Sequence, residues 1–334
     1  MGGGFVCVNK PPGMSSHDVV NWARRLFGIR RIGHTGTLDP GAAGVLVLAV
    51  GPATKVLEYM EGETKAYKAE CTLGIVTDTQ DQAGKILEVK SGCPSLAVIE
   101  QALAAMTGPI EQIPPMVSAV KYKGRRLYEL ARKGQEVPRR PRRATIHCLR
   151  LVEVRPQMMF LEVPLADIVG EFTPANRIDP VPEGSGGRIM FEVWCSRGTY
   201  VRTLCHDLGK ALGCGAYMSF LLRTRSGPFL LHHAKTLEEW EEIVDKAGSA
   251  EGALEYALPI EFGLPGMPLL TVDDRQSRRL GHGGAVDVQV EQSQEFALGT
   301  KVFVKNGAGR EVCIAQVATR DEEKVRLQPV KVLI

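Results

Sequence analysis

Residues 33–51 of this 334-residue chain read GHTGTLDPGAAGVLVLAVG. Six consecutive apolar residues, Val45–Val50, stand beside glycines, a pattern typical of a strand buried on both faces. The preceding turn carries one carboxylate, Asp39, followed by Pro40, which fixes the backbone. An aspartate in a turn is most often structural, because its side chain bonds its own backbone. Glycines that admit a ligand, and a buried strand behind the turn, favour a functional interpretation beside the structural one.

The composition is that of a globular protein long enough for a large domain and a small one. The chain is 44% hydrophobic and 24% charged, and its apolar runs are too short to span a membrane. The N-terminal residues lack the features of a secretory signal. Eight scattered cysteines without a C-x-x-C pair indicate reduced thiols. These features predict a cytoplasmic protein, and without zinc-ligand spacing or a phosphate-binding loop we expect no metal or nucleotide cofactor.

The segment Lys121–Arg143 concentrates basic charge. It holds ten Lys or Arg against two Glu, a local charge of +8 in a chain whose net charge is +3. Interleaved tyrosines beside this charge suit a phosphate backbone and unstacked bases. A solvated helix face followed by a polar loop is the plainer alternative. The residues expected to contact nucleic-acid phosphates are Lys121, Arg125, Arg126, Arg132, Arg139, Arg140, Arg142 and Arg143.

Capping signals and apolar spacing predict the secondary structure. Ser15 with Asp18 forms a capping box, and Gly28 ends the predicted helix 16–27. Further helices are predicted at 96–106, 199–212 and from 236 through 244, and strands at 67–73, 86–89, 189–195, 301–305, 311–317 and 324–334. A joint at 263–268 precedes the last strands, which indicate a small β domain. The Pro- and Gly-rich stretch 171–187 predicts a surface loop or insertion.

Five blocks of the chain resemble, in the same order, the TruB family of pseudouridine synthases, which isomerise a uridine in the T loop of tRNA (position 55). The blocks are VNKPPGMSSHDVV, GHTGTLDPGAAGVLVLAVGPATK, KAYKAECTLGIVTDTQDQAG, IEQIPPMVSAVKYKGRRLYELARKG, and CSRGTYVRTLCHDLGKALGCGA with FLLRTRSGPF. The final segment resembles, more loosely, a PUA-like RNA-binding barrel. The resemblance implies an α+β fold, with a mixed-sheet pseudouridine synthase core over 1–262 and a PUA-like domain over 267–334. The core would contain a thumb-like basic segment, 121–143, and an insertion atypical of the family at about 157–187.

The resemblance also implies roles for individual residues. Asp39 falls on the family's essential aspartate, Tyr67 on the tyrosine that stacks on the flipped base, and Arg202 on the arginine that pairs with the aspartate. A buried carboxylate needs such a cation to stay ionised. Without the family, Tyr67 would be interpreted as a core aromatic and Arg202 as a surface residue. The residues implied to bind or frame the substrate are His34, Tyr200, Leu221, Lys10 and Asp81, each of which could equally be structural.

The implied reaction needs no cofactor, because the uracil leaves the ribose and is rejoined through C5 without oxidation. The implied partner is the tRNA T stem-loop, whose target base must be flipped out. No membrane and no second protein are required, and we expect a monomer. Three alternatives remain: a guide-dependent dyskerin-like synthase, which shares the turn motif; an RNA-binding or tRNA-folding chaperone with incidental catalysis; and a glycosidase, which normally needs two carboxylates across the bond.

Overall fold

The computed structural model describes residues 3–60, 64–90, 92, 94–155, 187–290, 296–321 and 323–334. The predicted insertion lies outside these residues, apart from Gly187. The helices are α1 (Ser16–Phe27), α2 (Leu96–Ala105), α3 (Leu127–Ala131), α4 (Val201–Ala211), α5 (Leu237–Ala247), α6 (Ala250–Ala253) and α7 (Asp274–Gly281), with 3₁₀ helices at Gly51–Tyr59, Leu231–His233, Leu254–Tyr256 and Ile260–Gly263.

The strands form two main sheets and two short hairpins. They are β1 (Gly4–Lys10), β2 (Ile32–His34), β3 (Ala43–Val50), β4 (Lys65–Leu73), β5 (Ile75–Thr77), β6 (Ile86–Val89), β7 (Gly108–Gln112), β8 (Lys121–Tyr122), β9 (Arg125–Arg126), β10 (Arg142–Arg155), β11 (Arg188–Cys195), β12 (Ala216–Ser226), β13 (Phe229–Leu230), β14 (Leu269–Val272), β15 (Val286–Gln289), β16 (Lys301–Asn306), β17 (Glu311–Arg320) and β18 (Lys324–Val332).

The larger sheet has nine strands in the order β1-β3-β12-β4-β11-β10-β7, with β2 beside β3 and β13 beside β12. The pairing of β3 with β12 is parallel, whereas β1 with β3 and β12 with β4 are antiparallel. Helices α1, α2, α4, α5 and α6 contribute apolar residues to the core on one face of this sheet. The sheet is therefore mixed, as the predicted α+β class requires.

Strand β3 is buried on both faces, which confirms the prediction from its unbroken apolar run. All eight of its residues are buried. Leu46 and Leu48 belong to the core beneath the helices, whereas Val45 and Val47 belong to a second core on the other face. Since one face packs on helices and the other on the C-terminal part of the chain, no position in the strand could be polar.

Helix α1 has the predicted bounds. The Ser15 side chain accepts from the backbone N–H of Asp18, and Gly28 ends the helix in the left-handed conformation with φ 65°. Phe27 packs edge-on against Trp240 of α5, with ring centroids 6.0 Å apart. This contact joins the C-terminal end of α1 to α5, whereas hydrogen bonds between Ser16 and Leu38 hold the N-terminus of α1 next to the turn that carries Asp39.

The C-terminal sheet has five strands in the order β14-β16-β17-β18-β15. The strands predicted in this part are present, and helix α7 lies among them. The second core joins this sheet to the larger one, because Phe303 and Leu333 share it with Phe5. At the same seam, Lys55 Nζ donates to the carbonyls of Val332 at 2.7 Å and Leu333 at 3.2 Å.

Several strands of the larger sheet lie outside the predicted ranges. Helix α2 ends at Ala105, and Gly108 begins β7 with φ 101°. The fourteen-residue strand β10 was not predicted, because its first residues belong to the basic run. No helix among the described residues is long and apolar enough to cross a membrane. The seven cysteines in the described ranges are free thiols.

Candidate active site

The turn that carries Asp39 is held by backbone contacts on both sides. Ser16 Oγ donates to the Leu38 carbonyl at 2.9 Å and accepts from the Leu38 N–H at 2.8 Å. The Ala42 N–H closes the turn on the Asp39 carbonyl at 3.0 Å, and the Gly13 N–H donates to the Pro40 carbonyl at 2.8 Å. The carboxylate is therefore presented from a fixed backbone.

Arg202, in the first turn of α4, binds the Asp39 carboxylate through two nitrogens. Its Nε lies 2.9 Å from Oδ2 and its Nη2 lies 3.1 Å from Oδ1. The arginine side chain is 4% exposed, whereas 36% of the aspartate side chain is exposed. A two-point contact fixes the orientation of both groups. One carboxylate, restrained by a buried cation, thus faces the open side of the site.

The Arg202 guanidinium also contacts two other groups. Its Nη2 donates to the Val117 carbonyl at 2.8 Å, and its Nη1 lies 3.6 Å from Asp81 Oδ2. Asp81 Oδ1 accepts from Thr79 Oγ1 at 2.6 Å and from the Ala83 N–H at 3.0 Å. Asp81 therefore supports the arginine from a turn that is itself closed by hydrogen bonds.

The groups around Asp39 have opposite effects on the pKa of its carboxyl. Burial raises the pKa of the Asp39 carboxyl above its ordinary value, the Arg202 guanidinium lowers it, and Asp81 raises it again. The ammonium of Lys10 makes a smaller favourable contribution. Because the two-point ion pair binds the carboxylate form, loss of Arg202 would move the pKa further upward.

A second buried arginine, Arg223, was not identified from the sequence. It is 0% exposed, and its guanidinium donates to the carbonyls of Val45 at 2.7 Å, Gly36 at 3.1 Å and Thr37 at 3.4 Å. It therefore joins β12 to β3 and to the turn before Asp39. The only sequence signal is a charged residue inside the apolar run of FLLRTRSGPF.

Gly44 makes this arrangement possible. It pairs with Arg223 where β3 and β12 run parallel, and its φ is 102°. A Cβ at this position would collide with the backbone of Arg223. The glycine is required both for the close approach of the strands and for the left-handed backbone.

Tyr67 lies on β4 opposite Arg223 of β12 and is 8% exposed. Burial raises the pKa of Tyr67 to about 12, and Arg223, which donates to its hydroxyl oxygen, offsets part of that shift. The side chain is consequently a neutral phenol at physiological pH. Its hydroxyl can donate or accept a hydrogen bond, but it does not supply a phenolate.

Lys10 is fully buried, and its three N–H donors all contact backbone carbonyls. The acceptors are Met14 at 2.7 Å, Pro11 at 2.8 Å and Pro40 at 3.2 Å. Burial lowers the pKa of Lys10 to about 8, against the favourable charge of Asp39. This geometry leaves no donor for a substrate, so the ammonium orients the turn instead.

The remaining predicted residues lie on β12, at the start of α4 and on β2. Leu221 is buried in β12, and Tyr200 is the half-buried residue before α4. His34 is half-buried at the end of β2, and its Nδ1 has no hydrogen-bond partner in the described part of the chain. Burial lowers the pKa of His34, and the nearby charges of Arg223 and Lys65 lower it further. It is therefore a neutral imidazole beside the turn.

The residues predicted to contact phosphates lie in three places: on the hairpin β8–β9, directly after α3, and just before or at the start of β10. Seven of the eight are exposed, and Arg139 is half-buried. The Arg139 guanidinium donates to the Pro114 carbonyl at 3.2 Å and to Glu136 at 2.9 Å. Arg126 and Arg132 both stack over Tyr128, 5.9 Å and 5.6 Å from its ring centroid. Tyr128 and the two guanidinium groups therefore form a partly exposed cation–π cluster.

Solved structures share this fold. The chain aligns with a Cbf5–Nop10–Gar1 complex at a TM-score of 0.66 and 24% identity, covering 99% of this chain and 85% of that one. An H/ACA RNP bound to a substrate RNA containing 2′-deoxyuridine gives 0.65 and 22%, with 99% and 85% covered. At these identities the likeness shows the fold alone, and it confirms the predicted fold class.

Sequence comparison identifies the family. The profile described as TruB family pseudouridylate synthase (N terminal domain) matches residues 24–167, and the tRNA pseudouridylate synthase B C-terminal domain matches 202–264. The protein named tRNA pseudouridine synthase B from Symbiobacterium thermophilum is 47% identical over 86% of this chain and 84% of its own. The protein of that name from Moorella thermoacetica is 43% identical over 99% of each chain. With its Asp39 turn, its Arg202 pair and these relatives together, the chain belongs to the TruB family.

Proposed function

We propose that this protein converts uridine to pseudouridine in the T loop of tRNA (position 55). The observation that carries the proposal is a partly exposed carboxylate, Asp39, held at two points by a buried arginine on a rigid turn. The relatives named tRNA pseudouridine synthase B supply the substrate class. Their 37–47% identity, against 24% for the Cbf5 complex, favours a stand-alone synthase over the guide-dependent alternative.

The proposed reaction rearranges bonds within one nucleoside. The N1–C1′ bond breaks and a C5–C1′ bond forms, while C5 loses a proton and N1 gains one. Asp39 acts on the flipped nucleoside, either as the nucleophile or as the base at C2′, and Arg202 holds its carboxylate ready. Fixed orientation of this kind supplies much of the rate enhancement in enzymes. No oxidant or group donor enters the balance.

Tyr67 and its surroundings complete the proposed pocket. Its ring stacks on the flipped uracil, with Tyr200 and Leu221 lining the pocket beside it, and its neutral hydroxyl can relay a proton. His34 occupies the space that the flipped base leaves in the loop. Lys10 and Asp81 support the turn and the arginine rather than the substrate.

The tRNA stem is bound outside this pocket. We assign phosphate contacts to the exposed cations of the basic segment, 121–143, and further RNA contacts to the C-terminal sheet, which we place in a PUA-like domain over 267–334. The core domain then spans 1–262. We propose that the protein acts as a monomer in the cytoplasm, without a protein partner or guide RNA, because one chain supplies both the pocket and the basic surface.

The test is pseudouridine formation in an unmodified tRNA transcript with purified protein and no guide RNA. Conversion is expected at one T-loop uridine, mapped by chemical labelling. A transcript with that uridine replaced by cytidine is the control. Tight binding without conversion would favour a guide-dependent or chaperone role, and conversion at other uridines would refute the assigned position.

Neutralising the exposed arginines of the basic segment should weaken tRNA binding. We expect the triple substitution of Arg140, Arg142 and Arg143 by Gln to reduce the magnitude of the slope of log affinity against log salt by about two. Binding then releases fewer counterions, because fewer phosphates are contacted. Arg139→Gln is the matched control, since that guanidinium is engaged within the protein. Equal slopes for the triple variant and wild type, from filter binding, would contradict the assignment.

The pH dependence of kcat should show the role of Lys10. Above about pH 8 the Lys10 ammonium loses a proton, so one of the three backbone carbonyls loses its hydrogen-bond donor. We therefore expect kcat to decrease as the pH rises past about 8. Stability should not fall with it. Burial lowers the pKa of the folded form below 10.5, so the folded state binds fewer protons than the unfolded state between the two values. This ionisation therefore makes the free energy of unfolding rise with pH in that window.

Lys10→Met separates this effect from titration of the substrate. The variant should have a lower kcat at neutral pH and should lack the limb near pH 8, measured beside wild type with the same transcript. A limb of equal midpoint in both proteins would assign it to the RNA and refute the role given to Lys10.

A further inference from the structure

Gln112 is the last residue of β7 and is buried next to the start of α4. It is 2% exposed. Its Nε2 donates to the Tyr200 carbonyl at 3.1 Å, and its Oε1 accepts from the Tyr200 N–H at 2.9 Å. Both ends of one side-chain amide are therefore satisfied by a single residue far away in sequence. A buried amide with both partners fixed orients whatever it contacts.

Tyr200 is the residue from which α4 begins, and Arg202 stands two positions later. The helix start has no capping hydrogen bond from its own side chain. The Gln112 amide binds the Tyr200 N–H and shares the Tyr200 carbonyl with the Leu204 N–H, which donates to it at 3.0 Å. These bonds fix the backbone that presents Arg202. A displacement of the backbone at the start of α4 would move the Arg202 guanidinium relative to Asp39, from which its nitrogens lie 2.9 Å and 3.1 Å away.

Gln112 also stands at the base of the basic segment. It pairs with Arg142, the first residue of β10, so the chain leaves the sheet at Gln112 and returns opposite it. Within the same excursion, the Val117 carbonyl accepts from Arg202 Nη2 at 2.8 Å. The stretch of chain between Gln112 and Arg142, which leads into the basic segment, is therefore joined to the Asp39–Arg202 pair at two places: through the Gln112 bonds to Tyr200 and through the Val117 carbonyl.

We propose that Gln112 is a positioning residue that sets the geometry of the Arg202–Asp39 pair through the start of α4. This inference rests on the proposed function. Gln112 does not touch the reacting atoms in this assignment and acts through the start of α4. Its removal should therefore change the rate of the bound complex more than the affinity for tRNA.

The first test is Gln112→Leu, which keeps the side chain's size and removes both hydrogen bonds. We expect kcat to fall about tenfold to hundredfold, with KM changed by less than about threefold, because small misplacements of catalytic groups have effects of this size. Gln112→Glu retains the acceptor for the Tyr200 N–H and should give an intermediate kcat. If the leucine variant does not fold, kcat and KM of Gln112→Glu are compared with those of wild type instead. Gln101→Leu, on the exposed side of α2, is the matched control and should behave as wild type.

The second test measures the ion pair without catalysis. The charged groups that act on the Asp39 carboxyl are Arg202, Asp81 and Lys10. The neutral Tyr67 and the charged Arg223 lie next to the same turn. A misplaced Arg202 lowers the pKa of that carboxyl less, so titration of the free enzyme by carbon-13 NMR should give a higher pKa in Gln112→Leu than in wild type. The acid limb of kcat should move in the same direction.

The outcomes are distinct. An unchanged Asp39 titration, or a loss in KM alone, would overturn the positioning role, as would a lowered kcat with an unmoved acid limb. If wild type and Gln101→Leu both formed no pseudouridine, the proposed function would fail, and the titration would still decide whether Gln112 sets the ion pair.

Discussion

Asp39→Asn is expected to lower kcat for pseudouridine formation by about 10⁴-fold or more, the scale seen when an essential catalytic group is removed. The amide keeps the shape and can still accept from Arg202, but it can neither attack carbon nor remove a proton. Affinity for tRNA should stay within about threefold, because the phosphate contacts lie on the basic segment. Single-turnover conversion and filter binding measure the two effects separately.

Asp78→Asn provides the matched control for this substitution. Asp78 also stands in a turn, where its carboxylate accepts from the Lys85 N–H at 2.8 Å, and it is exposed. We expect near wild-type activity from it. Activity of Asp39→Asn within about tenfold of wild type would show that the carboxylate is not the catalytic group, because a missing essential group has a far larger effect.

Arg223→Lys is expected to lower kcat by about a hundredfold although the charge is retained. The guanidinium serves three carbonyls on two chain segments and the Tyr67 hydroxyl at once. A lysine presents one nitrogen and cannot reproduce this fork. The Gly36–Thr37 backbone before Asp39 would lose its contact, and a displacement of about 1 Å in a catalytic group can have an effect of this size. The unfolding temperature should also fall, since buried carbonyls lose their donors.

Arg225→Lys, two residues along the same strand, controls for the change of residue type. The Arg225 guanidinium lies 5.2 Å from the ring centroid of Trp194, which is 47% exposed, and it contacts neither the turn nor Tyr67 in the described structure. Its kcat should match that of wild type. If the two variants behaved alike, Arg223 would have no special part in holding the turn.

The fold was predicted best where local signals agree. Helix α1 has the predicted bounds because the Ser15–Asp18 capping box and Gly28 mark its two ends. Strand β3 was recognised because burial on both faces admits no polar residue. Strand β10 was not predicted because its first residues, Arg142 and Arg143, belong to the basic run. They pair only with β7, the edge strand of the sheet, and charged residues are tolerated there, so composition alone does not distinguish this part of the strand from a loop.

The site was predicted only in part, and the reason is physical. The family motifs point to Asp39 and Arg202, which the structure brings into contact. Arg223 and Gln112 satisfy backbone groups that lie far away in sequence, and no local pattern records which carbonyl a buried side chain will meet. Lys10 illustrates the same limit. The family resemblance places it among the residues that bind or frame the substrate, whereas its three donors all contact backbone carbonyls of the chain itself.

The seam between the two sheets has a consequence for synthesis of the protein on the ribosome. Phe5 of the first strand shares a core with Leu333, and its N–H donates to the Leu258 carbonyl at 2.7 Å. The outer face of β1 is therefore completely covered only after the residues near 333 have been synthesised. Contacts of such large sequence separation slow folding and leave apolar surface exposed until they form. A nascent chain that stalls before these residues would leave part of the same face of β3, the strand after the Asp39 turn, exposed.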